Sequence, residues 1–334
     1  MEKILSIIIP AYNVEKYLKR CLFSISTITP VLLEKLEVLV INDGSSDRTP
    51  DIALKYCKKY PGIFYLYSKE NGGHGSAINT GISYATGKYF KILDGDDWFD
   101  TKELQKFILL LETIDVDAVA SCYLCIKDGT GQILSKKTAA YDKSQYSKTC
   151  YMSKGEIKKV IKMHSLSLKT EYLKAMPYKI DENCFYVDAE YITYPSLNIE
   201  SVYYTNICPY MYRLGRNGQS MDIKSMQKNR EQHMRVYNSL IKFYKQSIKK
   251  SINPHLKKYI EMCIAQIVEN QFQIYISMGL EKGIKEELKT WDNKLKKEYP
   301  GIYNSVSKKS INILRASNYK LLKPSALVYK LVRS

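Results

Sequence analysis

Three carboxylates lie within four residues, at Asp94, Asp96 and Asp97, directly after the apolar run 89–93. An apolar run of this length predicts a buried strand. Neighbouring carboxylates repel one another, and a cation between them removes that repulsion. Hard divalent cations prefer oxygen ligands and often share them with the phosphates of a substrate. The motif therefore predicts a metal site at the end of a strand. The alternative is an acidic turn that only caps the following helix.

Two other motifs contain groups that suit a nucleotide. Asp43 follows the apolar run 36–41, where its carboxylate could accept a hydrogen bond from a base N–H. The alternative is a turn or helix cap, but the side chains of residues 45–47 are better placed for capping. The loop 71–75 is glycine-rich and opens a helix, so its backbone could approach a phosphate or a sugar closely. The loop matches neither Walker A nor GxGxxG, so by itself it is weak evidence for a nucleotide site.

Strand and helix patterns alternate through roughly the first hundred residues. Apolar runs predict strands at 5–10, 36–41, 63–67 and 89–93, and helical spacing predicts helices at 14–26, 49–60 and 75–85. This alternation is typical of βαβ units and predicts an α/β fold with a mostly parallel sheet. Ligands bind such sheets beyond the carboxyl ends of the strands. The turns that contain Asn13, Asp43 and Asp94 lie at those ends.

The pattern changes beyond residue 117. Single strands are predicted at 118–126 and 202–212, and short helices at 154–161 and 170–175. Helical patterns then dominate, at 223–247, 255–278 and 282–299, with proline and glycine at the breaks between them. We therefore predict two domains, an α/β domain at 1–222 and a helical domain at 223–334.

The positive charge is concentrated in the second part of the 334-residue chain, whose formal net charge is +17. Residues 221–334 contain 23 basic and 9 acidic side chains, whereas residues 1–220 contain 28 and 25. The segment 320–333 alternates basic residues with leucine and valine, an amphipathic pattern. Such a surface attracts polyanions such as nucleic acid or an anionic membrane. The alternative is a lysine-rich surface that is merely solvated.

Other classes of protein are excluded by the sequence. No run approaches the roughly 18 consecutive apolar residues of a transmembrane helix, and the N-terminus does not resemble a signal peptide. The eight cysteines are spread along the chain and do not form the dense disulfide framework of small secreted domains. These features favour a cytoplasmic location.

Four motifs occur in one order along the first hundred or so residues. They are Ser6-Ile-Ile-Ile-Pro-Ala-Tyr-Asn13, Val40-Ile-Asn-Asp-Gly-Ser-Ser-Asp47, Asn71-Gly-Gly-His-Gly-Ser-Ala-Ile-Asn-Thr-Gly81 and Leu93-Asp-Gly-Asp-Asp97. With these four motifs in this order, the sequence resembles the family 2 glycosyltransferases. These are bacterial enzymes with the GT-A fold that often build capsule, exopolysaccharide or other cell-surface glycans. Weaker similarity extends to about residue 220, and the helical part has no comparable match.

The resemblance implies roles for the residues that would bind the nucleotide-sugar donor. Asp43 would pair with the base, usually uracil, and Asp94 and Asp96 would form the DxD motif that contacts the donor and ligates Mn²⁺ or Mg²⁺. This chain has Ile78 where many members have arginine, and His74 is a candidate to replace it. The other residues that would contact the donor are Ala11, Tyr12, Asn13, Asn71, Gly72 and Asn79.

The resemblance also implies a catalytic base near residue 190. Inverting members commonly have a Glu-Asp pair there, and Asp188 matches its aspartate; Glu190 is the alternative base, and a helix cap is the alternative role for Asp188. Arg213 and Arg216 lie near glycines and suit a clamp on a diphosphate; the alternative is a basic surface loop. The lone His164 is a candidate for binding substrate or metal, or is structural.

These features together predict a metal-dependent, inverting glycosyltransferase. The donor would be a UDP-sugar, and the acceptor a saccharide or a lipid-linked saccharide at the inner face of the membrane. Contact of the basic helical part with an anionic membrane would be peripheral. The alternatives are a sugar-nucleotide-binding protein without catalysis and a nucleic-acid-binding protein, which would leave the acidic motifs unexplained. The donor sugar, the linkage and the oligomeric state are left open.

Overall fold

The computed structural model describes residues 2–216, 222–249 and 252–333. Its contacts divide the chain into two compact units, Met1–Arg216 and Asn217–Ser334. The domain boundary predicted from the sequence follows residue 222, next to residues 217–221, which lie outside the described residues.

The first unit contains two β-sheets. The larger has the strand order β3-β2-β1-β4-β10-β6-β11-β9, and the smaller has the order β5-β12-β7-β8. The strands are β1 (Leu5–Ala11), β2 (Leu36–Asp43), β3 (Phe64–Lys69), β4 (Tyr89–Ile92), β5 (Trp98–Phe99), β6 (Ala118–Ala120), β7 (Tyr123–Lys127), β8 (Ile133–Lys137), β9 (Lys148–Tyr151), β10 (Leu166–Lys169), β11 (Ser201–Tyr204) and β12 (Tyr210–Leu214).

Helices connect the first four strands and cover the larger sheet. The helices of this unit are α1 (Glu15–Ser26), α2 (Pro30–Leu33), α3 (Thr49–Lys59), α4 (Gly73–Tyr84), α5 (Thr101–Thr113), α6 (Thr170–Lys174) and α7 (Asp188–Thr193), with 3₁₀ turns at Lys143–Gln145, Met163–Ser165 and Tyr194–Asn198.

Strands β1 to β4 are mutually parallel, in the spatial order β3, β2, β1, β4. All residues of β1 and β2 are buried, as expected for a sheet that is covered on both faces. The carboxyl ends of these strands lie along one edge and hold the turns that contain Asn13, Asp43 and Asp94. The predicted α/β class and the four predicted strands are confirmed.

Each of the two long strands predicted beyond residue 117 is divided into two shorter strands, so the prediction of single strands was wrong. The segment 118–126 forms β6 and β7, and the segment 202–212 forms β11 and β12. In both segments the first strand joins the larger sheet and the second joins the smaller one. The chain changes sheets where Cys122 N–H bonds to Ile207 O (2.9 Å). Because Lys127 is the only exposed residue of these four strands, hydrophobicity alone did not reveal the bend in either segment.

The helix predicted at 154–161 is absent, and these residues form irregular chain. Polar contacts satisfy the backbone there: Gln145 Nε2 donates to Glu156 O (2.9 Å), and Glu156 Oε2 accepts from Tyr151 N–H (2.8 Å). Ile157, Val160 and Ile161 are buried by neighbouring chain. Their helix-like spacing therefore reflects tertiary contacts and not a helix.

The second unit is helical, as predicted. Its helices are α8 (Ile223–Lys228), α9 (Arg230–Ile248), α10 (Pro254–Ser277), α11 (Ile284–Glu298), α12 (Pro300–Ser305), α13 (Lys309–Ala316) and α14 (Leu322–Arg333). The single helix predicted at 223–247 is divided at Asn229, whose side-chain Nδ2 donates to Ser225 O (2.9 Å).

Helix α10 is buried on most of its surface and packs against α9, α12 and α14. A buried ion pair adds to this core: both oxygens of Asp292 accept from Arg315 (2.7 and 2.9 Å), and Tyr319 donates to the same carboxylate (2.6 Å). In the described parts of the chain, no helix has the length and apolar character needed to cross a membrane.

Candidate active site

The turn after β4 places two carboxylates beside Tyr210 of β12. The Tyr210 hydroxyl donates to Asp97 Oδ2 (2.7 Å) and lies 3.3 Å from Asp94 Oδ2. Asp97 Oδ1 accepts from the backbone N–H of Arg213 (2.7 Å). Since β4 belongs to the larger sheet and β12 to the smaller one, these bonds fix the acidic turn between the two sheets.

Asp94, Asp97 and His164 form a group that could hold a metal ion. One ligand atom from each residue lies within 4.8 Å of the others. Burial lowers the pKa of His164 to about 4, so its ring is neutral at pH 7 and offers a lone pair. Two carboxylates and an imidazole suit Mn²⁺ better than Mg²⁺, which prefers oxygen ligands alone. The structure therefore brings the predicted His164 to the acidic motif.

Buried Lys91 holds the turn that carries His164. Lys91 Nζ donates to the backbone oxygens of His164 (3.0 Å) and Leu166 (3.3 Å), and burial lowers its pKa to about 7. The His164 ring contacts Tyr212 and Tyr210, with centroids 4.2 and 4.9 Å away. The role of Lys91 was not predicted from the sequence. The available signal was a charged residue inside an apolar strand.

The surroundings shift the pKa values of the acidic turn in opposite directions. Burial acts to raise the pKa of Asp94, but the hydrogen bond from His74 Nε2 to Asp94 Oδ1 (3.0 Å) and nearby positive charge lower it overall. Burial acts to lower the pKa of His74, and Asp94 raises it overall. Burial, together with the charges of Asp94 and Asp96, raises the pKa of Asp97 well above its usual range. A bound cation would relieve this crowding of negative charge.

Asp96 contacts both predicted clamp arginines, Arg216 through its carboxylate and Arg213 through its backbone oxygen. Arg216 Nε lies 2.9 Å from Asp96 Oδ2, an ion pair without hydrogen-bond geometry. Arg213 Nε donates to Asp96 O (2.7 Å), and its NH1 donates to Asp128 Oδ1 (2.7 Å). Both guanidinium groups lie over Tyr17. Asp96 is outside the group of Asp94, Asp97 and His164, so its role as a metal ligand, like the clamp, stays a prediction.

Asp43 lies buried at the end of β2 and binds the glycine-rich loop. Its carboxylate accepts from the backbone N–H groups of Gly72 (3.0 Å) and Gly73 (2.7 Å), and from Lys69 Nζ (2.9 Å). Asn71 Nδ2 donates to Asp43 O (2.9 Å). A carboxylate at this position stabilises the N-terminus of α4. The pairing of Asp43 with a base stays a prediction.

The turn after β1 is tied to the turn after β2 by Asn13. Asn13 Oδ1 accepts from Ser46 N–H (2.9 Å), and Asn13 N–H donates to Ser45 Oγ (3.1 Å). Ala11 is buried, whereas the Tyr12 side chain is 53% exposed. Of these three predicted donor contacts, Tyr12 and Asn13 are exposed and Ala11 is buried.

Asp188 begins α7 and is an exposed residue. The dense protein around this carboxylate, together with the charge of Asp94, raises its pKa although Lys162 and His74 oppose the shift. The alternative base, Glu190, is 0% exposed, and its Oε2 accepts from Asp181 N–H (2.7 Å). Only Asp188 of the two is therefore accessible to an acceptor hydroxyl.

Comparison with known proteins identifies the family. The family model described as glycosyl transferase family 2 matches residues 6–183, more than half of the chain. The chain belongs to glycosyl transferase family 2. The matched range includes the four motifs and His164, and it ends before Asp188. The predicted family membership is thus confirmed, while the base lies beyond the matched part.

Curated relatives are similar to part of this family 2 protein. An uncharacterized glycosyltransferase of Rickettsia prowazekii is 42% identical over 120 residues, 36% of each chain. The glycosyltransferase GlyA of Streptococcus pneumoniae is 32% identical over 127 residues, 38% of this chain and 18% of its own. The minor teichoic acid biosynthesis protein GgaB of Bacillus subtilis is 41% identical over 92 residues, 28% of this chain and 10% of its own. The similarity spans about a third or less of each relative.

A solved structure resembles the family 2 protein over nearly its whole length. Residues 1–349 of Staphylococcus aureus TarS, crystallised with UDP-GlcNAc, match with a TM-score of 0.64 at 18% identity, covering 96% of this chain and 91% of that one. At this identity the likeness concerns the fold. It confirms the predicted GT-A architecture followed by a helical region.

Proposed function

We propose that the protein transfers a sugar from a UDP-sugar to a saccharide or lipid-linked saccharide, with inversion, in the synthesis of a bacterial cell-surface glycan. The observation that supports this most is the group of Asp94, Asp97 and His164 at the carboxyl end of β4, in a chain of glycosyl transferase family 2. TarS was crystallised with UDP-GlcNAc and with UDP, which supports a uridine nucleotide as the donor.

Asp94, Asp97 and His164 would hold the divalent cation. Their donor set fits Mn²⁺, and Mg²⁺ is the alternative. When bound, the cation supplies positive charge that stabilises the leaving diphosphate. His74 keeps Asp94 ionised, and Lys91 keeps His164 in place through the backbone. Arg216 is the predicted additional cation for the diphosphate.

Asp188 would act as the general base. Its carboxylate accepts the proton of an acceptor hydroxyl, and the hydroxyl oxygen forms a bond to the anomeric carbon. The bond between that carbon and the diphosphate oxygen breaks at the same time, and UDP leaves with the electron pair. Attack opposite the leaving group inverts the anomeric configuration.

We expect UDP to bind at least tenfold more tightly than GDP, a difference of about 1.4 kcal/mol. Gly44 and Asn71 lie so close that a Cβ on Gly44 would be 2.8 Å from Asn71 N. Asp43 precedes Gly44 and matches the acid that the family resemblance assigns to the base, usually uracil. Calorimetry with UDP and GDP, and release of UDP from a panel of UDP-sugars with Mn²⁺, test both the nucleotide and the reaction.

Two results would contradict the proposal. GDP binding more tightly than UDP would reject the base assignment. UDP binding without release of UDP from any UDP-sugar, even with saccharide acceptors present, would favour a nucleotide-binding protein without catalysis.

We also propose that α14 holds the enzyme at the inner face of an anionic membrane. Leu322 and Ala326 are buried against Gly279, whereas Leu327 is 53%, Val328 60% and Leu331 77% exposed. Lys320, Lys323 and Lys330 are exposed around these leucines and valine. An apolar face bordered by lysines is typical of helices that lie in a membrane interface. A location there would bring the site near a lipid-linked acceptor.

Binding to vesicles should depend on anionic lipid and on salt. Each lysine near an anionic surface contributes about 1 kcal/mol, and high salt screens that attraction. We expect co-sedimentation with anionic vesicles at low salt, release at high salt, and a clear loss of binding in Leu327→Ser/Leu331→Ser. Ile313→Ser, at an exposed apolar residue of α13, is the control. Equal binding to neutral vesicles, or none at low salt, would refute the membrane role.

A further inference from the structure

The first two turns of α4 contact the chain that precedes Asp188. We call residues 180–183 the bracing segment. Asn183 N–H donates to Gly72 O, immediately before α4. Gly72 N–H is one of the two loop donors to Asp43. The same short stretch of chain thus contacts both the nucleotide side of the site and the segment that leads to the base.

Asn79 of α4 binds the bracing segment through both ends of its amide. Asn79 Oδ1 accepts from Ile180 N–H (3.1 Å), and Asn79 Nδ2 donates to Ile180 O (2.9 Å). Nδ2 also donates to Glu182 Oε1 (3.1 Å). Three hydrogen bonds therefore occupy the side chain that the family resemblance assigns to the donor.

Gly75 makes a close backbone contact with the same segment. A Cβ at this position would lie 2.1 Å from Asp181 O, so any other residue would push the bracing segment away. Because the contacted atom is backbone, no side-chain rotation relieves the clash. The approach of α4 to the segment is therefore as close as glycine permits.

The other end of the bracing segment is fixed to α7. Asp181 N–H donates to Glu190 Oε2 (2.7 Å), and Glu190 is fully buried. Glu190 lies two residues after Asp188 on the same short helix. A continuous chain of contacts thus runs from Asn79, through Ile180 and Asp181, to the helix that carries the base.

We propose that Asn79 is a positioning residue for Asp188 and not a ligand of the donor. The inference rests on the proposed role of Asp188 as the base. A reacting group displaced by about 1 Å can lose a hundredfold in rate, so the geometry of the bracing segment controls turnover. Donor binding depends on Asp43 and the acidic turn, and the Asn79 side chain forms no hydrogen bond with either of them.

Asn79→Ala should lower kcat for sugar transfer by about ten- to a hundredfold. The KM for the UDP-sugar and the affinity for UDP should stay within about twofold of wild type, since neither depends on the position of Asp188. Asn79→Asp has nearly the same volume and keeps the acceptor for Ile180 N–H but not the donor to Ile180 O, so it should also lower kcat. Ser83→Ala, at an exposed residue of the same helix, should leave both constants unchanged. A raised donor KM with unchanged kcat would overturn the inference in favour of donor binding.

A double-mutant cycle separates positioning of the base from general damage to the fold. In an Asp188→Asn background, Asn79→Ala should cause no further loss of kcat, because no base is left to misplace. If Asp188→Asn is nearly inactive and Asn79→Ala still lowers its kcat by the same factor as in wild type, the positioning role of Asn79 is refuted while the base assignment stands. Full activity of Asp188→Asn would instead refute the base assignment, and this inference with it.

Discussion

Asp94→Asn should abolish the response to Mn²⁺ and lower turnover about a thousandfold, the equivalent of about 4 kcal/mol. Asp94 contributes to the group with Asp97 and His164 and also to the family's DxD motif, so both interpretations require its charge. Asparagine has the same shape and keeps an oxygen acceptor near Tyr210, which preserves the turn. Calorimetric titration with Mn²⁺ reports the loss of the ion independently of activity.

Asp96→Asn is the matched comparison for Asp94→Asn. Asp96 lies two residues away, and its carboxylate pairs with Arg216. The family motif predicts that Asp96 is a ligand, in which case both variants lose Mn²⁺ binding. If the ion lies among Asp94, Asp97 and His164, Asp96→Asn keeps it. Undiminished activity of Asp94→Asn, or of wild type in excess chelator, would contradict the metal role altogether.

The sequence predicted the strands of the parallel sheet because each of them is a mostly apolar run followed by a polar turn. That local pattern is sufficient to place Asn13, Asp43 and Asp94 at one edge of the sheet. Long-range pairing was less accessible. The antiparallel strand β10 joins β4 to β6, and no local signal in the sequence specifies which strands it pairs with.

Residues that act through the backbone or through several partners could not be assigned from sequence. Lys91 supports His164 across 73 residues of sequence, and Tyr210 bonds to Asp97 across 113. Such contacts depend on the packing of two sheets, and both residue types are common in strands for other reasons. Asn79 was assigned to the donor by resemblance, whereas its contacts lie with the bracing segment.

In the helical unit, the pattern of apolar residues predicted most helices. It did not predict that charged side chains are buried inside the unit. The excess of basic residues suggested an exposed basic surface. Arg315 is an exception, because its guanidinium is buried against Asp292 and lies 3.6 Å from the centre of the Tyr303 ring. A buried pair of this kind contributes to the core and nothing to a membrane contact. Exposed lysines, such as Lys323 and Lys330 of α14, are available for that role.

The general-base assignment predicts a large loss of turnover in Asp188→Asn, roughly two to four orders of magnitude. Asparagine cannot accept the proton of the acceptor hydroxyl, but it keeps the size and polarity of the side chain. The affinities for UDP and Mn²⁺ should therefore change little. Steady-state kinetics with a saccharide acceptor, together with calorimetry, separate the two effects.

The pH profile gives a second signature of the same base. Asp188 must be ionised to accept a proton, so activity falls as the pH drops through its pKa. Its surroundings raise that pKa from the usual value of an aspartate, so the acid limb of kcat/KM should be displaced to higher pH. The residual activity of Asp188→Asn should lack this limb. Glu190→Gln is the matched comparison, because a glutamine oxygen can still accept from Asp181 N–H. Near-normal turnover in Asp188→Asn, with an inactive Glu190→Gln, would move the base to Glu190.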